Sequence, residues 1–375
     1  MIHWRRGQVR ARTGGWGEAS TWEVALEDGA VLPALAYDSL TGAPRPGDAV
    51  LLNITALRKG LGTGGHALVI ALPDRLPEDA VGPGGADPAG HIVKARYTPQ
   101  QTMVLALEEQ ESPWHEAMTE GAAAEGDLGG MPVVAAELHS ALPAILAGVR
   151  SHRPDARVVY VMTDTGALPM ALSRTVATLR EAGVLHATIT AGQAFGGEHE
   201  AITVHSALLA ARHVLGADIA VVAQGPGNAG SGTPWGFSGI GHGEVLNAAH
   251  TLRGRGIAAL RVSGADPRGR HRGLSHHAWA ALARVLLGAA DLAIPDDETV
   301  LPGLTEQVEA LCADAAGAPR MVRVRSAGLD QALAELPVPM TTMGRDRLRD
   351  PAPFVVAAAA GRHAAGLLPS PLSRP

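Results

Sequence analysis

Residues 266–277, DPRGRHRGLSHH, place three arginines, three histidines and one aspartate within twelve positions. Histidine exchanges protons near neutral pH, and arginine binds phosphate or carboxylate through paired hydrogen bonds. We therefore predict an anion-binding segment with acid–base chemistry, in which the aspartate orients a histidine or holds a metal. The predicted catalytic residues are Asp266, His271, His276 and His277. The predicted anion ligands of this segment are Arg268 and Arg270.

The local structure of this segment follows from its neighbours in the sequence. Ser275 is a predicted N-cap, so His276 and His277 would lie in the first turn of a helix, where the helix dipole favours neutral imidazole. The alternating arginines at 268, 270 and 272 would share one side of an extended loop. The alternative is a solvated basic loop with one Asp–Arg pair, which is the usual role of a run of charges.

A second segment, QGPGNAGSGTPWG (224–236), contains five glycines in thirteen residues. Such a loop lets backbone N–H groups surround an anion, and the helix that follows adds its positive end. It is neither a Walker A motif nor a clear dinucleotide fingerprint, and the alternative is a long flexible loop. The ligand-binding candidates here are Gly225, Gly227, Asn228, Gly230, Ser231, Gly232 and Thr233. TDTGALP (163–169) adds Asp164 and Thr165, although helix capping is the simpler role for Asp164.

Metal binding has weaker support in the sequence. The candidates are Glu198, His199 and His205, on a helix predicted to begin near residue 199. The two histidines are six positions apart, which is not the i, i+4 spacing of a zinc-binding helix. Further ligands would have to come from other loops, namely from His139, Asp164, His242 or His271. The acidic residues Glu198 and Glu200 are alternatively general bases, or favourable charges at a helix start.

The elements that carry these segments alternate regularly from about residue 130. Apolar runs such as VVYVM and IAVVA precede Ala- and Leu-rich helical stretches, which predicts an α/β fold with a mostly parallel, doubly wound, Rossmann-like sheet. In such sheets ligands bind beyond the carboxyl ends of the strands, and the segments described above all run from strand to helix. Short apolar runs with frequent turns predict a small antiparallel β barrel or sandwich before it. We predict a β domain at 1–75, a linker and hairpin at 76–130, an α/β domain at 131–340, and a C-terminal helix (about 352–367) and tail at 341–375.

Composition limits the class of protein. The 375 residues carry a net charge of −6, which argues against a general nucleic-acid or membrane-surface binder. One cysteine, Cys312, excludes a disulfide within the chain. No apolar run reaches the roughly 18 residues of a membrane span, and MIHWRRGQVR is not a signal segment, so we expect a cytoplasmic protein. Nearly all of the positively charged residues are arginine rather than lysine, which indicates a GC-rich bacterial genome.

Three functions are compatible with these features. The first is an enzyme that binds a phosphorylated or nucleotide-like small molecule and performs hydrolysis or group transfer, with a divalent metal as a candidate cofactor. The second is a non-catalytic, metabolite-binding regulatory protein. The third is a nucleic-acid-linked protein that uses basic and aromatic residues of the β domain: Trp4, Arg5, Arg6, Arg10, Arg12 and Trp16. A homodimer is expected from symmetry alone.

Four strings carry a family resemblance: LNITALRKGLGTGGHALVIA, KARYTPQQTMVLALEEQESP, GPGNAGSGTPWGFSGIGHGE and DPRGRHRGLSHH. Over nearly its whole length the chain resembles the bacterial family called domain of unknown function 3866. The resemblance implies a bacterial cytoplasmic protein. It supplies neither an activity nor catalytic residues, so the predicted site depends on the residues themselves.

Overall fold

The computed structural model describes residues 2–79 and 88–369. The chain divides into two units, one of residues 1–104 with 171–177 and one of residues 105–170 with 178–375. Part of the predicted linker, at 80–87, and the end of the predicted tail, from 370, lie outside the described residues. No helix among the described residues is long and apolar enough to cross a membrane.

The first unit contains a closed five-stranded barrel. Its strands are β1 (Trp4–Trp16), β2 (Ala19–Leu26), β3 (Val31–Tyr37), β4 (Ala49–Asn53) and β5 (Ala67–Ala71). They pair in the order β1-β2-β3-β5-β4, and all pairs are antiparallel except β3–β5. Trp22, Val24 and Leu26 alternate along β2 and pack into the barrel core. The predicted barrel is confirmed, with one parallel pair.

Smaller elements complete this unit. They are the short helices α1 (Asp38–Thr41) and α2 (Thr55–Arg58) and the strands β6 (Ile92–Lys94) and β7 (Thr102–Val104). The last two form an antiparallel hairpin, which lies within the range 76–130 predicted to contain one.

The second unit contains the predicted α/β fold. Its strands are β8 (Pro132–Ala136), β9 (Val158–Thr163), β10 (Ala187–Thr190), β11 (His199–Glu200), β12 (Ile219–Gln224), β13 (Arg255–Ala259), β14 (Val262–Ser263), β15 (Gly273–Leu274), β16 (Ala289–Pro295), β17 (Ala318–Val324), β18 (Thr341–Thr342) and β19 (Arg345–Asp346). Eight of them form one parallel sheet in the order β11-β10-β9-β12-β8-β13-β16-β17. The remaining strands form two short antiparallel pairs, β14–β15 and β18–β19.

Helices connect these strands. They are α3 (His115–Thr119), α4 (Gly121–Ala124), α5 (Leu142–Arg150), α6 (Arg174–Glu181), α7 (Val204–His213), α8 (Gly241–Thr251), α9 (His276–Trp279), α10 (Leu304–Asp314), α11 (Leu329–Ala334) and α12 (Ala352–Gly366). Helices α5, α11 and α12 pack together, and α7 packs with α8. Connections between parallel strands are almost always right-handed, so connections that run in opposite directions along this sheet are expected to place their helices on opposite faces, as in a doubly wound sheet. The C-terminal helix predicted at about 352–367 is confirmed as α12.

The strand order creates two crevices at the carboxyl edge of the sheet. The chain leaves β8 towards β9 and leaves β13 towards β16, so the connections after these two neighbouring strands run in opposite directions. The connections after the neighbouring strands β9 and β12 also run in opposite directions. Ligands of open α/β sheets bind at such points, so both crevices are candidate sites.

One predicted element is wrong. His199 and Glu200 do not begin a helix but form the edge strand β11, and the helix starts only after Thr203. Thr203 and Ser206 form a reciprocal capping box that fixes this start. Glu200 is buried and its carboxylate accepts hydrogen bonds from the Thr190 hydroxyl (2.7 Å) and Gly196 N–H (2.7 Å).

Candidate active site

The crevice between β8 and β13 brings together a carboxylate, a guanidinium and an imidazole. Ala136 and Ala259 are paired at the ends of these strands, so Glu137 and Arg261 emerge side by side. His277 comes from the first turn of α9, where Ser275 Oγ accepts the His277 N–H and confirms the predicted N-cap. The His277 Nδ1 lies 2.8 Å from Glu137 Oε1, and Arg261 donates to the same oxygen.

The ionised carboxylate of Glu137 determines which ring nitrogen of His277 carries a proton. Burial of Glu137, which is 2% exposed, would raise its pKa, but the hydrogen bond from His277 and the charge of Arg261 outweigh burial and lower it. The carboxylate therefore only accepts hydrogen bonds. Although Arg261 also lies 2.9 Å from His277 Nδ1, we assign the proton of that nitrogen to the bond with Glu137. With that proton on Nδ1, the lone pair of the imidazole lies on Nε2.

Two more histidines surround His277. The ring centroids of His271, His276 and His277 lie 4.4–4.9 Å apart, and we refer to these residues as the histidine cluster. His271 Nδ1 lies 2.8 Å from Ser275 Oγ. Burial, helped by the guanidinium groups of Arg261 and Arg268, lowers the pKa of His271 to about 4, and burial also lowers the pKa of His276. The His271 ring is therefore neutral at pH 7.

Two buried atoms at this site have no hydrogen-bond partner among the described residues. They are Nε2 of His276 and Oε2 of Glu137. Buried polar atoms are normally paired, because leaving one unpaired costs about 1–3 kcal/mol. Such atoms are typical of sites that bind a further group.

The residues that directly follow the glycine-rich segment contact His277 and Glu137. The Phe237 ring stacks on His277, with centroids 3.7 Å apart and planes 6° from parallel. Gly239 lies against Glu137, and a Cβ at this position would overlap the glutamate side chain. The two predicted segments therefore meet at one site.

An open cleft of about 510 Å³ adjoins the cluster. Arg270 is exposed, and no described residue forms a hydrogen bond or ion pair with its guanidinium. Arg284, by contrast, is already paired with Asp314. The residues that line the cleft are Pro234, Trp235, Gly269, Arg270, Leu274, His276, Trp279, Ala280 and Arg284.

Asp266 does not orient a histidine. Its carboxylate accepts two hydrogen bonds from the Arg268 side chain (3.0 and 2.9 Å) and one from Arg345 (3.2 Å). These contacts hold the pKa of Asp266 well below its usual range, the Arg268 side-chain bond being the largest cause. Because the Arg268 guanidinium is already bound to Asp266, these two residues stabilise the conformation of the loop. Gly269–His271 form a 3₁₀ turn, so the predicted extended loop with three arginines on one side is wrong.

Most polar groups of the glycine-rich loop are used within it. Ser231 Oγ donates to Gly236 O (2.9 Å), and Thr233 Oγ1 accepts from Gly236 N (3.1 Å). Asn228 Oδ1 accepts from the Ser238 hydroxyl (2.6 Å). Gly225 is buried where its backbone packs against Ala167, so a Cβ would overlap the Ala167 oxygen. The other predicted loop glycines, Gly227, Gly230 and Gly232, are exposed and absent from the cleft lining.

The other crevice, between β9 and β12, contains Asp164 and Thr165. Asp164 Oδ2 accepts from Gln193 N (2.8 Å) and caps no helix, and Thr165 donates to Gln224 Oε1 (3.0 Å). Both residues line a cavity of about 180 Å³, whose lining does not include the histidine cluster. Asp164 and Thr165 therefore lie apart from the histidine cluster, although Gln224 links Thr165 to Asn228 of the glycine-rich loop.

The predicted metal ligands do not converge. Glu198 pairs with Arg180, and its other oxygen accepts from Thr188 N (3.0 Å). His199 lies on the edge strand, and His205 is exposed on α7. Of the further candidates, His139 lies 2.9 Å from the Tyr160 hydroxyl, and both ring nitrogens of buried His242 have no partner in the described part of the chain. Among the described residues, the only group of three or more His, Cys, Asp or Glu close enough to share a metal ion is the histidine cluster.

Comparison with known proteins identifies the family. A family model described as "Protein of unknown function (DUF3866)" matches residues 33–361. The chain belongs to this family. Among curated proteins, none matches the chain. The matched range of the DUF3866 family includes Glu137, Arg261 and the whole histidine cluster, which confirms the resemblance seen in the sequence.

Two site residues of this DUF3866 chain were missed in the sequence. Glu137 directly follows the apolar run MPVVAA, and Arg261 interrupts the apolar run IAALRV. A charged residue at the end of a buried strand is a signal for a carboxyl-edge site. Only the strand order, which places β8 beside β13, shows that the two residues meet.

Proposed function

We propose that this chain is an enzyme that binds a phosphorylated or nucleotide-like small molecule in the cleft and performs hydrolysis or group transfer there. One observation carries the proposal: the same cleft is lined by the unengaged guanidinium of Arg270 and by His276 of the histidine cluster. An anion site and titratable groups at the carboxyl edge of an α/β sheet are the usual components of such an enzyme.

Recognition of the ligand is assigned to Arg270 and two tryptophans. An exposed guanidinium without an acidic partner is available to bind a phosphate or carboxylate in a bidentate manner. Trp235, 59% exposed, and the half-buried Trp279 line the same cleft and offer apolar surface for a planar ring. This combination favours an anion that carries a ring, as a nucleotide does.

Proton transfer is assigned to His277 with Glu137. A buried carboxylate that accepts from Nδ1 fixes the orientation and tautomer of an imidazole and stabilises its protonated form. Nε2 of His277 is then the atom that accepts or donates a proton. His277 lies behind His276, whose ring centroid is 4.4 Å away and which forms part of the cleft wall.

The test begins with ligand binding. Purified full-length chain is screened by thermal denaturation against nucleotides, phosphorylated metabolites and inorganic pyrophosphate, because a ligand that binds the folded state raises Tm. Compounds that bind are then incubated with the wild type, with His277→Gln and with His152→Ala, and products are followed by mass spectrometry. His152 is exposed in the same unit and lies outside the cleft.

The proposal predicts turnover by the wild type and by His152→Ala, and a loss of at least 100-fold in His277→Gln, as expected for removal of an acid–base group. Binding without turnover would instead favour the regulatory alternative. The cytoplasmic location, the bacterial source and the homodimer remain predictions, as does the nucleic-acid alternative.

A further inference from the structure

We infer that His271, His276 and His277 form a binding site for one divalent first-row transition metal ion of the zinc type. The inference concerns the same site as the proposed function, but it does not depend on the identity or turnover of a substrate. It rests on the orientation of the three rings, on their spacing and on an unpaired nitrogen.

The second ring nitrogens of two of the histidines are already held by neighbouring groups. Nδ1 of His277 is fixed by Glu137 (2.8 Å) and Nδ1 of His271 by Ser275 Oγ (2.8 Å). Metal-binding histidines commonly donate their other N–H to a carboxylate or another oxygen, which fixes the ring and raises its basicity. When the Nδ1 proton of each ring is assigned to these bonds, Nε2 of both rings carries a lone pair for a metal ion.

The third histidine, His276, has a ring nitrogen that is unpaired among the described residues. Nε2 of His276 is buried and bonds to nothing in the described part of the chain. Glu137, 2% exposed, also keeps one unpaired oxygen beside the cluster. A metal ion bound by the cluster would satisfy the first atom directly, and its remaining coordination positions would accept water or an oxygen of a bound anion.

The spacing matches three ligands on one side of a metal ion. The three ring centroids are 4.4, 4.8 and 4.9 Å apart, and the ligand atoms lie within 4.8 Å of one another. For a metal–nitrogen bond of about 2.1 Å and bond angles of about 90–110°, ring centroids are expected roughly 4.5–5.3 Å apart. The observed spacing is therefore close to that of three imidazoles bound to one ion.

The donor set selects the class of metal. Three imidazole nitrogens suit Zn²⁺, Co²⁺, Ni²⁺, Cu²⁺ or Fe²⁺, whereas Mg²⁺ and Ca²⁺ prefer oxygen ligands. Three protein ligands with open positions are typical of catalytic rather than structural zinc sites. With a metal ion bound, Nε2 of His277 would be a ligand and would no longer exchange a proton. The metal ion would instead lower the pKa of a bound water and thereby supply a nucleophile for the proposed hydrolysis.

The experiment measures metal binding without substrate. Full-length chain without a histidine tag is stripped with a chelator, dialysed and titrated with Zn²⁺ by calorimetry, and the Co²⁺ form is examined by visible absorption. We expect one ion per chain with a Kd tighter than about 1 µM. His271→Ala, His276→Ala and His277→Ala should each weaken binding by more than about 100-fold, and Glu137→Gln by about 10–100-fold.

Two controls keep the result interpretable. His152→Ala, with an exposed imidazole far from the cluster in sequence, should bind Zn²⁺ as the wild type does. Circular dichroism of each metal-free variant shows whether it folds. His276→Ala is the safest of the three, because His276 is only half-buried.

Each outcome has a defined meaning. If the wild type binds no stoichiometric Zn²⁺ or Co²⁺, or if the folded His276→Ala variant binds as tightly as the wild type, the inference is overturned. In that case anion binding and turnover by metal-free protein would leave the proposed function intact. Stoichiometric Zn²⁺ binding that requires the cluster, in a protein that binds no anion, would support the metal site and overturn the proposed function.

Discussion

Nδ1 of His277 lies 2.8 Å from Oε1 of Glu137, although the two residues are 140 positions apart in the chain. The distance results from the strand order, because β8 ends beside β13 and the connection after β13 leads to α9. The bond joins a buried carboxylate to a helix N-terminus and thereby defines the orientation of the histidine cluster.

We predict that Glu137→Gln destabilises the fold by on the order of 3 kcal/mol, because it leaves the buried guanidinium of Arg261 without a counter-charge. Urea unfolding of the full chain measures the change. Glu298→Gln is the control, since Glu298 pairs with Arg323 on the surface and is 64% exposed. The loss in unfolding free energy for Glu298→Gln should stay within about 1 kcal/mol. Equal losses in the two variants would contradict the role assigned to the buried pair.

Gly239→Ala should displace the side chain of Glu137. The new Cβ would overlap the side chain of Glu137, so the carboxylate that holds His277 must shift. We expect a destabilisation of about 1–3 kcal/mol from overpacking, and weaker Zn²⁺ binding. Gly264→Ala serves as the control, because its Cβ would meet only ordinary contacts at 3.7 Å. An unchanged Gly239→Ala protein would show that Glu137 has room to move.

Gly361→Ala should weaken the contact between α5 and α12. A Cβ at Gly361 would overlap the carbonyl oxygen of Ile145 on α5, so the two helix backbones would have to separate. The expected loss in unfolding free energy is at least about 2 kcal/mol. Gly366→Ala on the same helix has its nearest contact at 4.0 Å. It should be neutral or stabilising by up to about 1 kcal/mol, and the opposite ranking would contradict this account.

The ion pairs of Asp291 should make the free energy of unfolding depend on pH. Burial alone would raise its pKa, but hydrogen bonds from His363 and Arg320 lower it well below the usual range, and Arg255 lies 3.7 Å away. Because the folded-state pKa is depressed, this stabilisation is present above the unfolded pKa of about 3.9 and is lost as pH falls through the folded value. Wild type should therefore exceed Asp291→Asn in stability at pH 7, and the gap should narrow below about pH 4. A gap of the same size in urea unfolding at pH 7 and pH 3 would contradict the assignment.

Local patterns were sufficient to predict much of this molecule. Alternating strand and helix patterns predicted the parallel sheet, because buried strands and amphipathic helices have distinct periods. Ser275 predicted the start of α9, and the composition of DPRGRHRGLSHH predicted the three clustered histidines. These features depend on residues close together in the sequence.

Features that depend on distant residues were missed. Asp266 was predicted to orient a histidine, but Arg345, 79 positions away, and neighbouring Arg268 share its carboxylate. Glu137 takes that role because β8 and β13 are neighbours, and a sequence pattern does not reveal strand order. The helix start near residue 199 was wrong because Glu200 pairs with Thr190 on the neighbouring strand. In each case a tertiary contact outweighed the local pattern.

The most direct test of the central claim compares two arginines of one loop. Arg270 lines the cleft, whereas Arg272 is exposed outside it. Calorimetric titration of the tightest-binding phosphorylated compound should show about 10–100-fold weaker binding in Arg270→Ala, the loss of a charge-assisted hydrogen bond of about 1.5–3 kcal/mol. Arg272→Ala should bind within about threefold of wild type, because its side chain is exposed to solvent and does not line the cleft. Equal affinities in the two variants, or a correctly folded wild type that binds none of the anions, would contradict an anion site in this cleft.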